Sequence, residues 1–151
     1  MLLGAIIGMI VAIIVILIKN NREKKALSKL NNSATLDSPD YTAYFHVASE
    51  NTFKSKGFKF FDASGVLFLS GKNLVFNDRA GSSSTEFNLA TSSISYAGVK
   101  KKMKWVCIEQ KDSKLYFTTF KQGLLALDKT EMDRFIEKLK LLNPGSNLAK
   151  G

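Results

Sequence analysis

The sequence predicts an N-terminal transmembrane helix followed by a mainly-β domain of about seven antiparallel strands closed by a C-terminal amphipathic helix. Three observations carry this expectation. The chain opens with an unbroken apolar run from Met1 to Ile18; short β-type runs recur between Tyr41 and Phe120; and the apolar period turns helical after Asp128. With 151 residues there is room for one domain of ordinary size, and 45% hydrophobic residues with only two prolines describe a chain that folds.

Residues 1–18, MLLGAIIGMIVAIIVILI, contain no charged or polar side chain. As a helix they reach roughly 27 Å, close to the ~30 Å hydrocarbon core of a bilayer. A lone segment in lipid must satisfy its own backbone hydrogen bonds, which a helix does. A cleaved signal peptide is the competing reading, but it needs a basic stretch before the apolar core and a small-x-small site after it. Here Lys19-Asn20-Asn21-Arg22 follows directly, and the only cysteine, Cys107, is too far downstream for a lipoprotein signal. Lys19, Arg22, Lys24 and Lys25 flank the run with only Glu23 against them. This predicts a single-pass cell-membrane protein with its N-terminus outside and its domain in the cytoplasm, integral to the lipid bilayer. The unpaired Cys107 agrees with a reducing compartment. Gly4, Gly8 and Ala12 recur every fourth residue and offer a small-residue stripe for helix association, hence a homodimer.

After the anchor, residues 19–40 read as a basic stalk, KNNREKKALSKL, running into a polar linker that ends Ser38-Pro39-Asp40. The folded domain is expected over 41–145, with 146–151 as a tail. The net charge of +9 is concentrated. Residues 19–30 hold five cations against Glu23, and residues 100–121 hold seven lysines against Glu109 and Asp112. Either cluster suits an anionic lipid surface, which attracts polybasic segments by about 1 kcal/mol per nearby cation. Nucleic acid is not expected, because no arginine-rich stripe or nucleic-acid motif accompanies the lysines.

The predicted strands are Tyr44–Ala48, Phe53–Phe61, Val66–Ser70, Leu74–Asn77, Thr85–Leu89, Ile94–Val99, Trp105–Gln110 and Leu115–Phe120, separated by turn-rich segments such as Asp62-Ala63-Ser64-Gly65 and Ser70-Gly71-Lys72-Asn73. Such short spacing implies hairpins or a meander. In Gly65-Val66-Leu67-Phe68-Leu69 both faces are apolar, as for a strand covered on each side. Thr130-Glu131-Met132-Asp133 then reads as a capping box, with Thr130 at the N-cap. Met132, Phe135, Ile136, Leu139 and Leu142 form one apolar stripe, and Asn143-Pro144-Gly145 ends the helix.

Gly65-Val66-Leu67-Phe68-Leu69-Ser70 followed by Lys72-Asn73-Leu74-Val75-Phe76 resembles the "G-x-L-x-L-T…x-L-x-F" hairpin of the GRAM-like, bacterial branch of the pleckstrin-homology (PH) superfold. Phe87 to Ile94 resembles its "I-P-L-x-D-I" strand, and Trp105–Gln110, Lys114–Phe120 and the helix 131–142 are similar to its last hairpin and closing helix. The resemblance covers about residues 44–142. It implies a PH-like barrel that binds membranes, lipid head groups or peptides without catalysis. The basic "K-x(n)-R-x-R" pattern of phosphoinositide-binding members is not reproduced: Lys54, Lys56 and Lys59 lie near its place, but Arg79 and Arg134 are the domain's only arginines and neither fits it.

No catalytic or metal motif is present. His46 and Cys107 are each the only residue of their kind, so Cys and His alone make no zinc quartet, and Gly81-Ser82-Ser83-Ser84 is not a G-x-S-x-G elbow. No cofactor is expected. The candidate contact is Lys100, Lys101, Lys102, Lys104 and Trp105: four cations in five positions at a strand-to-strand turn repel one another unless an anion relieves them, and Trp105 suits a membrane interface. The expected function is a membrane-tethered, non-catalytic binding module that presents its domain to a protein partner or anionic phospholipid. The alternative is a structural subunit of a membrane complex, self-associating through its transmembrane helix.

Overall fold

The computed structural model describes residues 2–31, 39–81, 83–122 and 127–148; the side chains of 2–9, 26, 29–31, 122 and 127 are outside the description. The expected linker falls largely on 32–38, outside the described residues, as do the last residues of the tail.

In chain order the elements are α1 (Leu2–Asn31), β1 (Tyr41–Ser49), α2 (Glu50–Lys54), β2 (Ala63–Ser70), β3 (Asn73–Asp78), β4 (Ser84–Asn88), β5 (Ser93–Lys100), β6 (Met103–Gln110), β7 (Ser113–Thr118), β8 (Lys121–Gln122), β9 (Leu127–Asp128) and α3 (Thr130–Leu142). Seven strands form one antiparallel sheet in the order β4-β3-β2-β1-β7-β6-β5. All connections within it are to sequence neighbours except β1–β7, which joins the two halves from Ser49 opposite Leu115 to His46 opposite Thr118.

Period-two alternation decides which face each residue serves. Ala43, Phe45 and Val47 of β1, Leu67 and Leu69 of β2, and Val106 and Ile108 of β6 point to a concave face, where Met132, Phe135, Ile136 and Leu139 of α3 cover them. The Phe45 and Phe135 rings meet edge-on at 4.7 Å, a favoured aromatic geometry. Tyr41 fixes the start of β1 to the same helix, stacking on Phe135 at 5.7 Å and donating its hydroxyl to Glu131 Oε1 at 2.8 Å. The outer residues Val66 and Phe68 of β2 are also buried, so the two-sided burial expected for Gly65–Leu69 is present.

Two expectations of the fold class are corrected. Among the described residues no helix is long and apolar enough to cross a membrane. The transmembrane anchor over 1–18 and the single-pass, cytoplasm-facing location therefore do not stand. Past Ile18 the helix turns charged, with Lys19 and Arg22 on its next turn. The helix also leans back on its own domain, packing against β1 and β2. The second correction concerns closure. The sheet is open, because edge strands β4 and β5 share no ladder. The Gln110 side chain ties the end of β4 and the turn after it to the end of β6: its Oε1 accepts from the Asn88 amide at 2.9 Å, and its Nε2 donates to Thr91 Oγ1 at 3.0 Å.

Smaller differences have local causes. Phe53–Phe61 is not a strand; α2 and a loop occupy it. Lys129, not Thr130, sits at the N-cap of α3 without a side-chain bond. Asp128 does the capping from one residue earlier, accepting from the Thr130 amide at 2.9 Å and from its hydroxyl at 2.6 Å. The start of the expected tail is part of the domain. Asn147 bridges to Ser95 on the free edge of β5, donating to Ile94 O at 2.9 Å, and Leu148 is buried in the core.

Candidate functional site

A second apolar cluster lies on the outer face of β1, β7, β6 and β5. Ala48, Met103, Trp105, Cys107, Tyr116 and Phe120 are buried there, with Phe53 of α2 and Phe61 packed over them. Phe53 stacks on Tyr116 at 4.0 Å and meets Trp105 edge-on at 5.3 Å. The segment between β1 and β2 is therefore the lid of an outer core. It is held closed by Asp62, which accepts from the Ser49 amide at 2.7 Å and the Thr52 hydroxyl at 2.7 Å and pairs with Lys59 at 2.8 Å. Burial works to raise the Asp62 carboxyl, but those donors outweigh it and hold it well below the usual carboxylate range.

The predicted lysine turn lies against this lid. Trp105 is only 2% exposed and donates its indole N–H to Lys100 O at 3.2 Å, so it is a core residue and not a surface contact. Lys100 Nζ donates to Phe53 O and sits over the Phe53 ring at 4.8 Å. Lys101 Nζ donates to Gly57 O at 3.0 Å and lies 3.8 Å from the centroid of the Phe60 ring. Lys104 points the other way, to Asp133 of α3 at 2.6 Å. Lys102 is exposed, with no acidic partner among the described residues. The structure thus brings Lys100 and Lys101 onto the lid, sends Lys104 to α3 and leaves Lys102 facing solvent.

What sequence reasoning missed are the aromatics beside them. Phe58 is 98% exposed and Phe60 42%, on the loop that Lys101 grips, and Val99 beside the turn is 60% exposed. Lys56 and Lys59 share that loop. Phenylalanines interleaved with lysines around Gly57 were the available signal. Their alternation reads equally well as a strand, and only the docking of Phe53 and Phe61 shows otherwise. Lys101 and Lys102 both have left-handed backbones, with φ of 55° and 65°. A two-residue hairpin turn demands this conformation and usually uses Asn-Gly for it. Burial, and then the neighbouring Lys100 charge, lower the Lys101 pKa.

Of the expected flanking residues, Lys19 lies over the Phe120 ring at 4.7 Å, and Lys19 and Arg22 line a cleft between α1 and the sheet. Lys24 and Lys25 are exposed. Ala12 is exposed on α1, whereas Gly4 and Gly8 fall outside the described side chains. His46 is buried on the outer face of β1, stacked on Phe61 at 4.3 Å, with Nδ1 2.6 Å from Ser64 Oγ. Burial first, and Lys19 second, lower its pKa to about 4, so the ring is neutral at neutral pH. Cys107 is buried, and burial raises its thiol, which disfavours the nucleophilic thiolate. Among the described residues no group of three or more His, Cys, Asp or Glu is placed to hold a metal ion.

No family model, curated protein or solved structure matches this chain.

The His46 geometry makes stability pH-dependent. The ordinary value of 6.5 lies above the folded value of about 4, so the unfolded state takes the proton first. Stability from this group is complete above pH 6.5 and declines as pH falls toward 4. Urea unfolding of wild type and His46→Phe will show this: the wild-type advantage shrinks by roughly 2 kcal/mol between pH about 6.5 and about 4.5. A difference that does not change with pH would mean the ring is not buried neutral.

Proposed function

We propose that this chain is a non-catalytic binding module whose lysine and phenylalanine patch docks on an anionic lipid surface. The observation that carries the reading is Phe58, almost wholly exposed on a loop pinned beside Lys101 and Lys102. Large exposed apolar side chains ringed by like charge are the composition of an interaction surface. An aromatic wedge gains by leaving water, and each cation near an anionic leaflet adds about 1 kcal/mol. The two left-handed lysines support the same reading, because that conformation costs roughly 1–2 kcal/mol per residue and strain of this kind collects at functional sites. The likeness of the hairpin motifs to PH and GRAM-like domains belongs to this proposal, with an open sheet in place of a closed barrel. It favours binding over chemistry.

Vesicle co-sedimentation of the full-length chain tests the docking. Wild type is expected to bind vesicles of phosphatidylserine and phosphatidylcholine more tightly than phosphatidylcholine alone. Lys102→Gly removes one cation and relieves the strained turn. It is expected to weaken anionic binding about fivefold while leaving stability unchanged or raised by up to about 1 kcal/mol. Phe58→Ser is expected to weaken binding without destabilising the fold. Equal binding of wild type to both lipid compositions sinks the lipid reading and makes a protein partner the better one.

A second reading rests on α1. Ile10, Val11, Ile14 and Leu17 are each about half exposed, and apolar area left in water costs about 25 cal/mol per Å². Two copies packed along α1 would cover it. Sedimentation velocity on the full-length chain is expected to show a concentration-dependent dimer that Ile14→Glu abolishes; a wild type that stays monomeric removes this reading.

A further inference from the structure

Between α1 and the outer face of β1 and β2 lies a cleft of about 410 Å³, within the ~300–1,000 Å³ range of small-molecule sites. Its helix wall is Val15, Ile18, Lys19, Arg22 and Glu23. They fall at i, i+3, i+4, i+7 and i+8, so they form one face of α1. Along that face the chemistry is graded, apolar at Val15 and Ile18 and charged from Lys19 onward. The sheet wall is Tyr44, His46, Ser64 and Arg79. Burial raises the Tyr44 hydroxyl pKa, and the neighbouring Arg79 and Ser64 act to lower it, which sets these polar groups at one place.

Two independent features ask for an occupant. The first is charge: Lys19, Arg22 and Arg79 face the single carboxyl of Glu23 in the cleft lining. The second is a hydrogen-bonding vacancy. His46 is 7% exposed and its Nδ1 is taken by Ser64, but its Nε2 is buried with no hydrogen-bond partner. An orphaned buried polar atom costs about 1–3 kcal/mol, and such atoms are few in native proteins. If the Ser64 hydroxyl donates to Nδ1, the neutral ring carries its proton on Nε2 and lacks only an acceptor.

We propose that this cleft binds a single-chain anionic amphiphile, its head among Lys19, Arg22, Arg79 and His46 Nε2 and its chain along Val15 and Ile18. A small anion leaves the apolar helix face uncovered, and an uncharged chain leaves the cations and the orphaned nitrogen unanswered. An anionic head on an apolar chain meets both. The site is separate from the lysine and phenylalanine patch and shares no residue with it.

Because His46 is the only histidine, its ring resonances in a ¹⁵N NMR spectrum report on the cleft without assignment. Titrate the full-length chain with decanoate below its micellar range, and in parallel with propionate and with decanol. Decanoate is expected to shift the His46 ring signals saturably, with propionate and decanol binding at least about tenfold more weakly. Arg79→Gln is expected to weaken decanoate binding about tenfold, the size of one lost charged hydrogen bond, whereas Lys102→Gly leaves it unchanged. Absence of a saturable His46 response to decanoate overturns the site. Equal binding of propionate or decanol overturns the amphiphile, and an unaffected Arg79→Gln variant overturns the placement of the head.

Discussion

Two-sided burial of β6 is the constraint on which the rest of this structure depends. Val106 and Ile108 face the concave core under α3, while Met103, Trp105 and Cys107 face outward and are buried as well. A strand in a single open sheet cannot bury its outer face unaided. The chain supplies the cover from the segment between β1 and β2, through Phe53 and Phe61. Burying an aromatic of Trp105's size is worth at most about 4–6 kcal/mol, so the lid is set by tertiary packing and not by its own propensity. A five-residue helix such as α2 would not persist in isolation.

That constraint positions the candidate surface. With Phe53 and Phe61 pinned, the intervening residues must arch outward, which leaves Phe58 in solvent and brings Gly57 to Lys101. The lysine turn then has two roles. Lys100 and Lys101 tie the lid down through Phe53 O and Gly57 O, while Lys102 remains available to a partner. A run of like charges is thereby split by where each chain points, and its mutual repulsion is partly offset by carbonyl oxygens and aromatic faces.

Much of the fold was legible because the concave face follows simple periods. The i, i+3, i+4, i+7 stripe of α3 and the alternation in β6 each located an element to within two or three residues. The segment Phe53–Phe61 reads as a strand because interleaved phenylalanine and lysine satisfy that pattern, while its true partner, the outer face of β6 and β7, is remote in sequence. Trp105 reads as a surface residue for the same reason, since nothing local says that its outward face is covered. The N-terminal run was read by composition alone; its contact with β1 and β2 depends on tertiary packing, which hydropathy does not encode. His46 lies inside an apolar strand-like run, but its unpartnered Nε2 depends on the geometry of Ser64, eighteen residues on.

The central claim is that the lid holds Trp105 inside while presenting residue 58 to a lipid surface. Tryptophan emission and its quenching by brominated lipid measure both, since Trp105 is the only tryptophan. Wild type should emit in the blue and stay unchanged and unquenched when anionic vesicles are added. With Phe58→Trp introduced in a Trp105→Phe background, emission should begin red, shift to the blue on anionic vesicles and be quenched by bromine there. Quenching of wild-type Trp105 together with an unresponsive residue 58 would contradict the account.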